Sequence, residues 1–198
     1  MSFFRWKGVG QPRKEVRHFQ ENSSEYLTLL KDKLNVRFWP NNVANYLRTD
    51  KETENFDPQI AELSLTLVKD YISKNENPVG DKHYLNHSDD ESSYSKSHEV
   101  YHPLIRSYLE KFEYYDIFLV DNISGHIIYS VYKEVDFGTS LRDGPYVNSN
   151  LAKAFEEASK ATDKDFVKLV DFEPYHPSYN APAAFMASPV FDGDENIG

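Results

Sequence analysis

The chain has 198 residues, enough for one ordinary domain with a real core, and its 39% hydrophobic and 15% aromatic content is that of a globular protein. A formal charge of -10 without any basic stripe excludes nucleic acid as a partner and an anionic membrane surface as a docking site. The absence of cysteine excludes disulfides, thiolate catalysis, thiolate-bound zinc and iron–sulfur clusters.

From Lys14 to Phe38, apolar residues recur at Val16, Phe19, Tyr26, Leu27, Leu30 and Leu34, the spacing of a long amphipathic helix. Pro40, Asn41 and Asn42 interrupt it, and Val43, Tyr46 and Leu47 resume it briefly. The next helix has a sharper start, with Asp57 as N-cap and Pro58 at its first position. Its stripe runs through Ile60, Leu63, Leu67, Val68, Tyr71 and Ile72. Residues Lys74 to Ser97 are polar and without periodicity, which predicts a surface loop with a turn at Asn77 to Gly80. YHPLIRSYLEKF predicts a short helix with Pro103 near its start.

At Tyr114 the character changes. DIFLV and HIIYSVY are rich in branched and aromatic residues, and DNISG joins them as a hairpin in which Gly125 is free to adopt positive φ. SNLAKAFEEASKA predicts a helix capped by Ser149 or Asn150, and DFVKLVDF and PAAFMASPVF complete the strands. A parallel sheet would need a crossover between every pair of strands, and the tight first hairpin denies it, so the expected fold is α+β with an antiparallel sheet. ASPVFDGDENIG reads as a strand entering a turn, so the chain is expected to stop inside a hairpin, with the last strand truncated. No window reaches the ~18 to 20 apolar residues of a membrane span, and the start lacks the apolar core of a signal peptide.

Two histidine pairs have i,i+4 spacing, His83 with His87 and His98 with His102, which on a helix would set two imidazoles on one face as in helical zinc sites. The competing reading is polar histidines in a loop. It is favoured because the first pair lies in the least helical segment, no His-Glu-x-x-His frame is present, and Pro103 interrupts the second pair. DGDEN lacks the spaced ligands of a calcium loop. There is no Gly-x-Ser-x-Gly elbow and no glycine-rich loop opening a helix. Asp121, Asp136, Asp143 and Asp171 fall at strand ends and turns, where aspartate is ordinary. No catalytic residue, metal or cofactor is therefore expected. DFGTSLRDGPYVNSNLAKAF offers recognition instead: Arg142 and Tyr146 are the groups that hold a small carboxylate without reacting with it, weighed against a surface arginine paired with neighbouring acids. DFEPYHPSYNAPAAF, with its prolines and rings, predicts a stiff pocket rim.

NPVGDKHYL, the stretch from YHPLIRSYLEKF through SNLAKAF, and DFEPYHPSYNAPAAFMASPVF resemble the extracytoplasmic Cache sensor regions of bacterial chemoreceptors, sensor cyclases and sensor kinases. The resemblance implies a PAS-like sheet packed on a long N-terminal helix, divided as a helical region 1–76 and a sensor module 77–198. It implies a periplasmic sensing part of an inner-membrane receptor that binds an amino acid or organic acid and passes the signal across the membrane, with a homodimer through the N-terminal helix. In this sequence Arg142 and Tyr146 would hold the carboxylate, Tyr129 would line the pocket, and Asp171, with Phe172 beside it, would meet an amino group; the tryptophan expected near Arg142 is absent. The alternatives are a dimerisation module whose pocket is vestigial and a metal-dependent hydrolase built on the histidine pairs.

Overall fold

The computed structural model describes residues 2–6, as backbone alone, and 65–198. The helix expected over 14–38 and most of the one expected from Asp57 lie outside the described residues. The end of the second is helical: residues 65–68 lead into a π turn, Lys69–Ser73, closed by the Lys74 N–H donating to the Lys69 carbonyl at 2.9 Å.

The sheet is built from five strands, β1 (Ser2–Trp6), β2 (Tyr114–Val120), β3 (Ile127–Ser130), β4 (Lys168–Tyr175) and β5 (Ala181–Ser188). Their order is β3-β2-β1-β5-β4 and every neighbouring pair is antiparallel. The branched and aromatic runs of β2 and β3 do form a hairpin, with Gly125 at φ 71° in the turn. Nothing in the N-terminal sequence signals β1, whose five residues take the central slot between the two hairpins. A further short hairpin pairs β6 (Phe191–Asp192) with β7 (Glu195–Asn196), so the turn DGDE, where a cut was expected, has both of its arms.

Both faces of β2 are buried. Ile117 and Leu119 pack in one apolar cluster with Ile105 and Leu109, while Phe118 and Val120 pack in another with Leu151, Phe155 and Phe185. Alternation along the strand therefore feeds two layers. The first layer is covered by helix α1 (Ser93–Lys111) and the second by helix α2 (Asn150–Ser159). Burying rings such as Phe118 and Phe185 contributes on the order of 2 to 3 kcal/mol each. Ser149 caps α2, its side chain accepting from the Ala152 N–H at 3.1 Å.

Helix α1 corrects two expectations. It begins at Ser93, ten residues before Pro103, with Ser92 as its N-cap, and Pro103 sits inside it. Residues 93–97 are therefore helical rather than loop. The apolar stripe that normally betrays a helix is missing from its first turns because the side chains facing inward there are Ser95, His98 and His102.

Candidate functional site

The inward face of α1 meets the π turn and β3 across a polar layer inside the fold. Tyr71, Ser88, Ser95, His98, His102 and Tyr129 are all buried in it. The Tyr71 hydroxyl lies 2.7 Å from Ser95 Oγ, which lies 2.8 Å from Ser88 Oγ. His98 and His102 stack with centroids 4.3 Å apart, so the second histidine pair does share a helix face. It is nevertheless committed to hydrogen bonds. His102 Nδ1 is 2.7 Å from the Tyr129 hydroxyl, its Nε2 is 2.7 Å from the His83 carbonyl, and His98 Nδ1 is 2.7 Å from the Asn86 carbonyl. Burial lowers the basicity of both rings, His98 well below the usual histidine range and His102 to about 2, and the nearby Lys133 cation acts in the same direction. His83 is buried in a single 3-10 turn (Lys82–Tyr84) while His87 is in the following loop. Among the described residues no group of three or more histidine, aspartate or glutamate side chains is placed to hold a metal ion.

Below this layer lies a carboxylate and lysine pair that the sequence reading passed over. Asp116 on β2 is fully buried and accepts from Ser130 Oγ at 2.8 Å and from the N–H groups of Ile117, Val131 and Tyr132. It ties the chain leaving β3 back onto β2. Burial raises its pKa to about 7 even against the donors that favour its charged form. Lys133 follows three residues after β3, in the left-handed region at φ 54°, with 2% of its surface exposed. Its Nζ donates to the Ser130 carbonyl at 2.9 Å and stands 5.1 to 5.9 Å from the ring centroids of Tyr129, Tyr71 and Phe137. Burial lowers its pKa to about 7, Asp116 opposing and Arg106 reinforcing that shift.

Lys133 also lines a cavity of about 370 Å³ at the end of the sheet where β2 begins and β3 ends. Three segments converge there: Ile72 of the π turn with Val79, Gly80 and Lys82 beyond it; Tyr115 with Tyr132 to Val135 from the β2–β3 hairpin; and Pro177 and Tyr179 from the β4–β5 connection. The last two belong to the proline and ring stretch expected to form a rim. Tyr115 and Tyr132 stack 5.9 Å apart, and both oxygens of Glu134 are engaged, by the Tyr115 hydroxyl at 3.0 Å and the Ser178 hydroxyl at 2.6 Å. Lys133 and Tyr179, at φ 54° and 56°, are two of the four non-glycine residues with positive φ among the described residues, a conformation costing about 1 kcal/mol or more each. Strain of this kind collects at binding sites.

The residues expected to bind a ligand are dispersed. Tyr129 is in the buried polar layer on the α1 side. Arg142 is on the α2 side: its guanidinium is 4.9 Å from the Phe155 ring centroid, its Nη2 donates to the Asn122 carbonyl at 3.0 Å, and its Nη1 pairs with Glu156 at 3.3 Å. Tyr146 is half-buried against the rings of Tyr175 and His176, each 6.3 Å away, and burial raises its pKa. Asp171 is exposed on β4, where its carboxylate accepts from the Phe172 N–H at 2.8 Å, and Phe172 is partly buried beside it. None of the five lines the cavity. Of the aspartates read as turn formers, Asp121 fits, accepting from the Ser124 N–H and hydroxyl at 2.7 Å each. Asp136 instead is buried and accepts from the Tyr175 hydroxyl at 2.6 Å. Signals for the cavity existed in the order SVYKEVDF, where a lysine closes the apolar run HIIYSVY, but that stretch also reads as an ordinary charged turn. No protein-family model, no curated protein and no solved structure matches this chain.

Proposed function

We propose that the chain is the small-molecule-sensing part of a bacterial transmembrane signalling receptor, an extracytoplasmic Cache module with a PAS-like sheet and a long N-terminal helix, which binds its ligand without transforming it. The observation that carries this reading is the cavity. Its wall joins the ends of β2 and β3 to Ile72 of the π turn and to Val79, Gly80 and Lys82 beyond it. A ligand bound there would touch both the sheet and the helical segment that ends at Ser73. Occupancy then shifts the balance between two arrangements of helix and sheet, provided the ligand binds one of them more tightly. The antiparallel sheet with helices on both faces, and the resemblance of the sequence strings to Cache regions, support the same reading. Dimerisation through the N-terminal helix and transmission to an output domain across the membrane belong to this proposal. A cavity of this size lies within the roughly 300 to 1,000 Å³ range of small-molecule sites.

The test is thermal denaturation of the purified chain against a panel of amino acids and organic acids. The reading expects a rise in Tm that saturates with one member or one class of the panel. A Tm unmoved by every compound, in a protein whose stability depends only on its own concentration, would favour the dimerisation module instead.

A further inference from the structure

Resting on the sensor reading, we infer that the cavity takes the aromatic ring of a small molecule and leaves the head group, whatever its charge, at the mouth in water. Of the described lining, Lys82, Lys133 and Glu134 are charged, and each has its charged group bonded within the protein. The two oxygens of Glu134 accept from the Tyr115 and Ser178 hydroxyls, which fastens the β2–β3 hairpin to the β4–β5 connection. Lys82 Nζ donates to the Asn75 carbonyl and Lys133 Nζ to the Ser130 carbonyl, and neither acceptor belongs to the lining. These groups brace the wall rather than face a guest.

The rest of the wall is aliphatic and aromatic: Ile72, Val79, Val135 and Pro177, with the side chains of three tyrosines. Two of those, Tyr115 and Tyr132, already stack on each other, an aromatic surface that a further ring extends. The opening carries more apolar surface. Val79 is 78% exposed, Val135 62% and Tyr179 80%, one from each of the three segments that converge on the cavity. A single exposed apolar side chain is ordinary, but three around one concavity form a surface that a guest covers.

The rim is also held in position. The Tyr179 N–H donates to the His176 carbonyl at 3.0 Å and the Asn180 N–H to the Tyr175 carbonyl at 3.1 Å, with Tyr179 and Asn180 both left-handed at φ 56° and 59°. A ring presented from a fixed turn gives up little freedom when a guest arrives. Ring contacts of this kind are worth about two- to tenfold each in affinity. A carboxylate or ammonium drawn into the same wall would exchange water for hydrocarbon and ring surface, which keeps the head group outside.

Isothermal titration of the whole chain tests this, in about 150 mM salt to screen its formal charge of -10. The probes are 2-phenylethanol, phenylacetate and phenethylamine, one ring with three heads, and succinate and L-alanine, which lack the ring. The expected result is saturable binding of the three ring compounds with affinities within about tenfold of one another, and binding of succinate and alanine at least about tenfold weaker than any of them. Tyr179→Gly removes one ring from a position whose left-handed backbone glycine adopts freely, so the turn is kept, and it should weaken all three by about two- to tenfold. A preference for one head beyond about tenfold, succinate or alanine binding as well as the ring compounds, or undiminished affinity in Tyr179→Gly would overturn the inference while leaving the sensor reading intact. A protein that binds none of the three but is stabilised by another compound of the amino-acid and organic-acid panel does the same. One that responds to no compound overturns both, and a concentration-dependent dimer lost in Tyr179→Gly would then assign the mouth to a second copy of the chain.

Discussion

The ring of His102 bridges two groups: its Nδ1 lies 2.7 Å from the Tyr129 hydroxyl and its Nε2 2.7 Å from the His83 carbonyl. A carbonyl only accepts, so the proton of the neutral ring is on Nε2, and Nδ1 accepts from the tyrosine. This bond set ties α1 at once to β3 and to the 3-10 turn. Replacing His102 with Phe preserves an aromatic ring of similar breadth but removes this partner from the buried Tyr129 hydroxyl, while the His83 carbonyl keeps the Arg106 Nη1 donor at 2.6 Å. The expected loss is about 1 to 3 kcal/mol, seen in urea unfolding as a lower midpoint with an unchanged slope. A loss below about 0.5 kcal/mol would show that water replaces the ring without penalty.

Four histidines, His83, His98, His102 and His126, have pKa values lowered first of all by burial. For such a group the folded protein refuses a proton that the unfolded chain accepts once the pH drops below about 6.5. The stability they contribute is complete above that pH and is lost as the pH falls. Each contributes a slope of up to about 1.4 kcal/mol per pH unit. Asp116 has the opposite sign, because its raised pKa makes the folded state hold a proton that the unfolded chain releases between about pH 4 and 7. The net expectation is a fall in unfolding free energy from pH 6.5 to 5, shallower in the H102F variant by up to one histidine's share. Denaturant titrations at several pH values measure this, and a flat profile would contradict the burial of the imidazoles.

The parts of this architecture that could be read from residue order are those carried by apolar or capping chemistry. The runs DIFLV, HIIYSVY, DFVKLVDF and PAAFMASPVF became β2 to β5, and Ser149 caps α2, because strand alternation and N-caps are local. The start of α1 was hidden because its inward residues are polar, satisfied by partners such as Asn86 and Tyr129 that lie 12 and 27 residues away. Lys133 was hidden for a related reason. Its amine folds back beneath its own strand and under Tyr71, 62 residues upstream, and nothing adjacent in sequence announces that. Arg142 had the chemistry of an anion clamp, but its immediate neighbours in space are Glu156, the Asn122 carbonyl and Phe155. Residue type identified the kind of group a site would need and left open which copy of it faces a cavity.

Arg142 therefore supplies a discriminating variant. Its side chain is 38% exposed and its ion pair with Glu156 is a surface pair, worth about 0 to 1 kcal/mol. Contact with the Phe155 face adds a similar amount at an exposed site. R142A should lower stability by no more than about 2 kcal/mol and leave unchanged the affinity of a ligand held in the cavity, whose described lining does not include Arg142. Titration of a compound that raises the Tm into R142A decides the matter: a tenfold or greater loss of affinity would place recognition on the α2 side of the sheet.

Gly125 sets the position of that arginine. It adopts φ 71° in the β2–β3 turn, and a Cβ placed on it would stand 2.7 Å from Arg142 Cγ and 3.2 Å from Arg142 N. The Gly125 N–H donating to the Asp121 carbonyl at 2.9 Å closes the turn, and the Leu141 N–H donating to the Gly125 carbonyl at 2.8 Å pins the two segments together. Gly125→Ala thus meets both a left-handed conformation and a side chain that has to move. The conformational part costs about 1 kcal/mol and the clash a further 1 to 2 kcal/mol, for a total of about 2 to 3 kcal/mol in chemical unfolding. The clash part can be isolated. In the double variant Gly125→Ala with Arg142→Gly, the Cγ and Cβ contacts are gone and only the 3.2 Å backbone contact remains, so the cost of the alanine, measured against Arg142→Gly alone, should shrink by about 1 kcal/mol. An unchanged cost in that background would assign the whole penalty to the backbone of the turn.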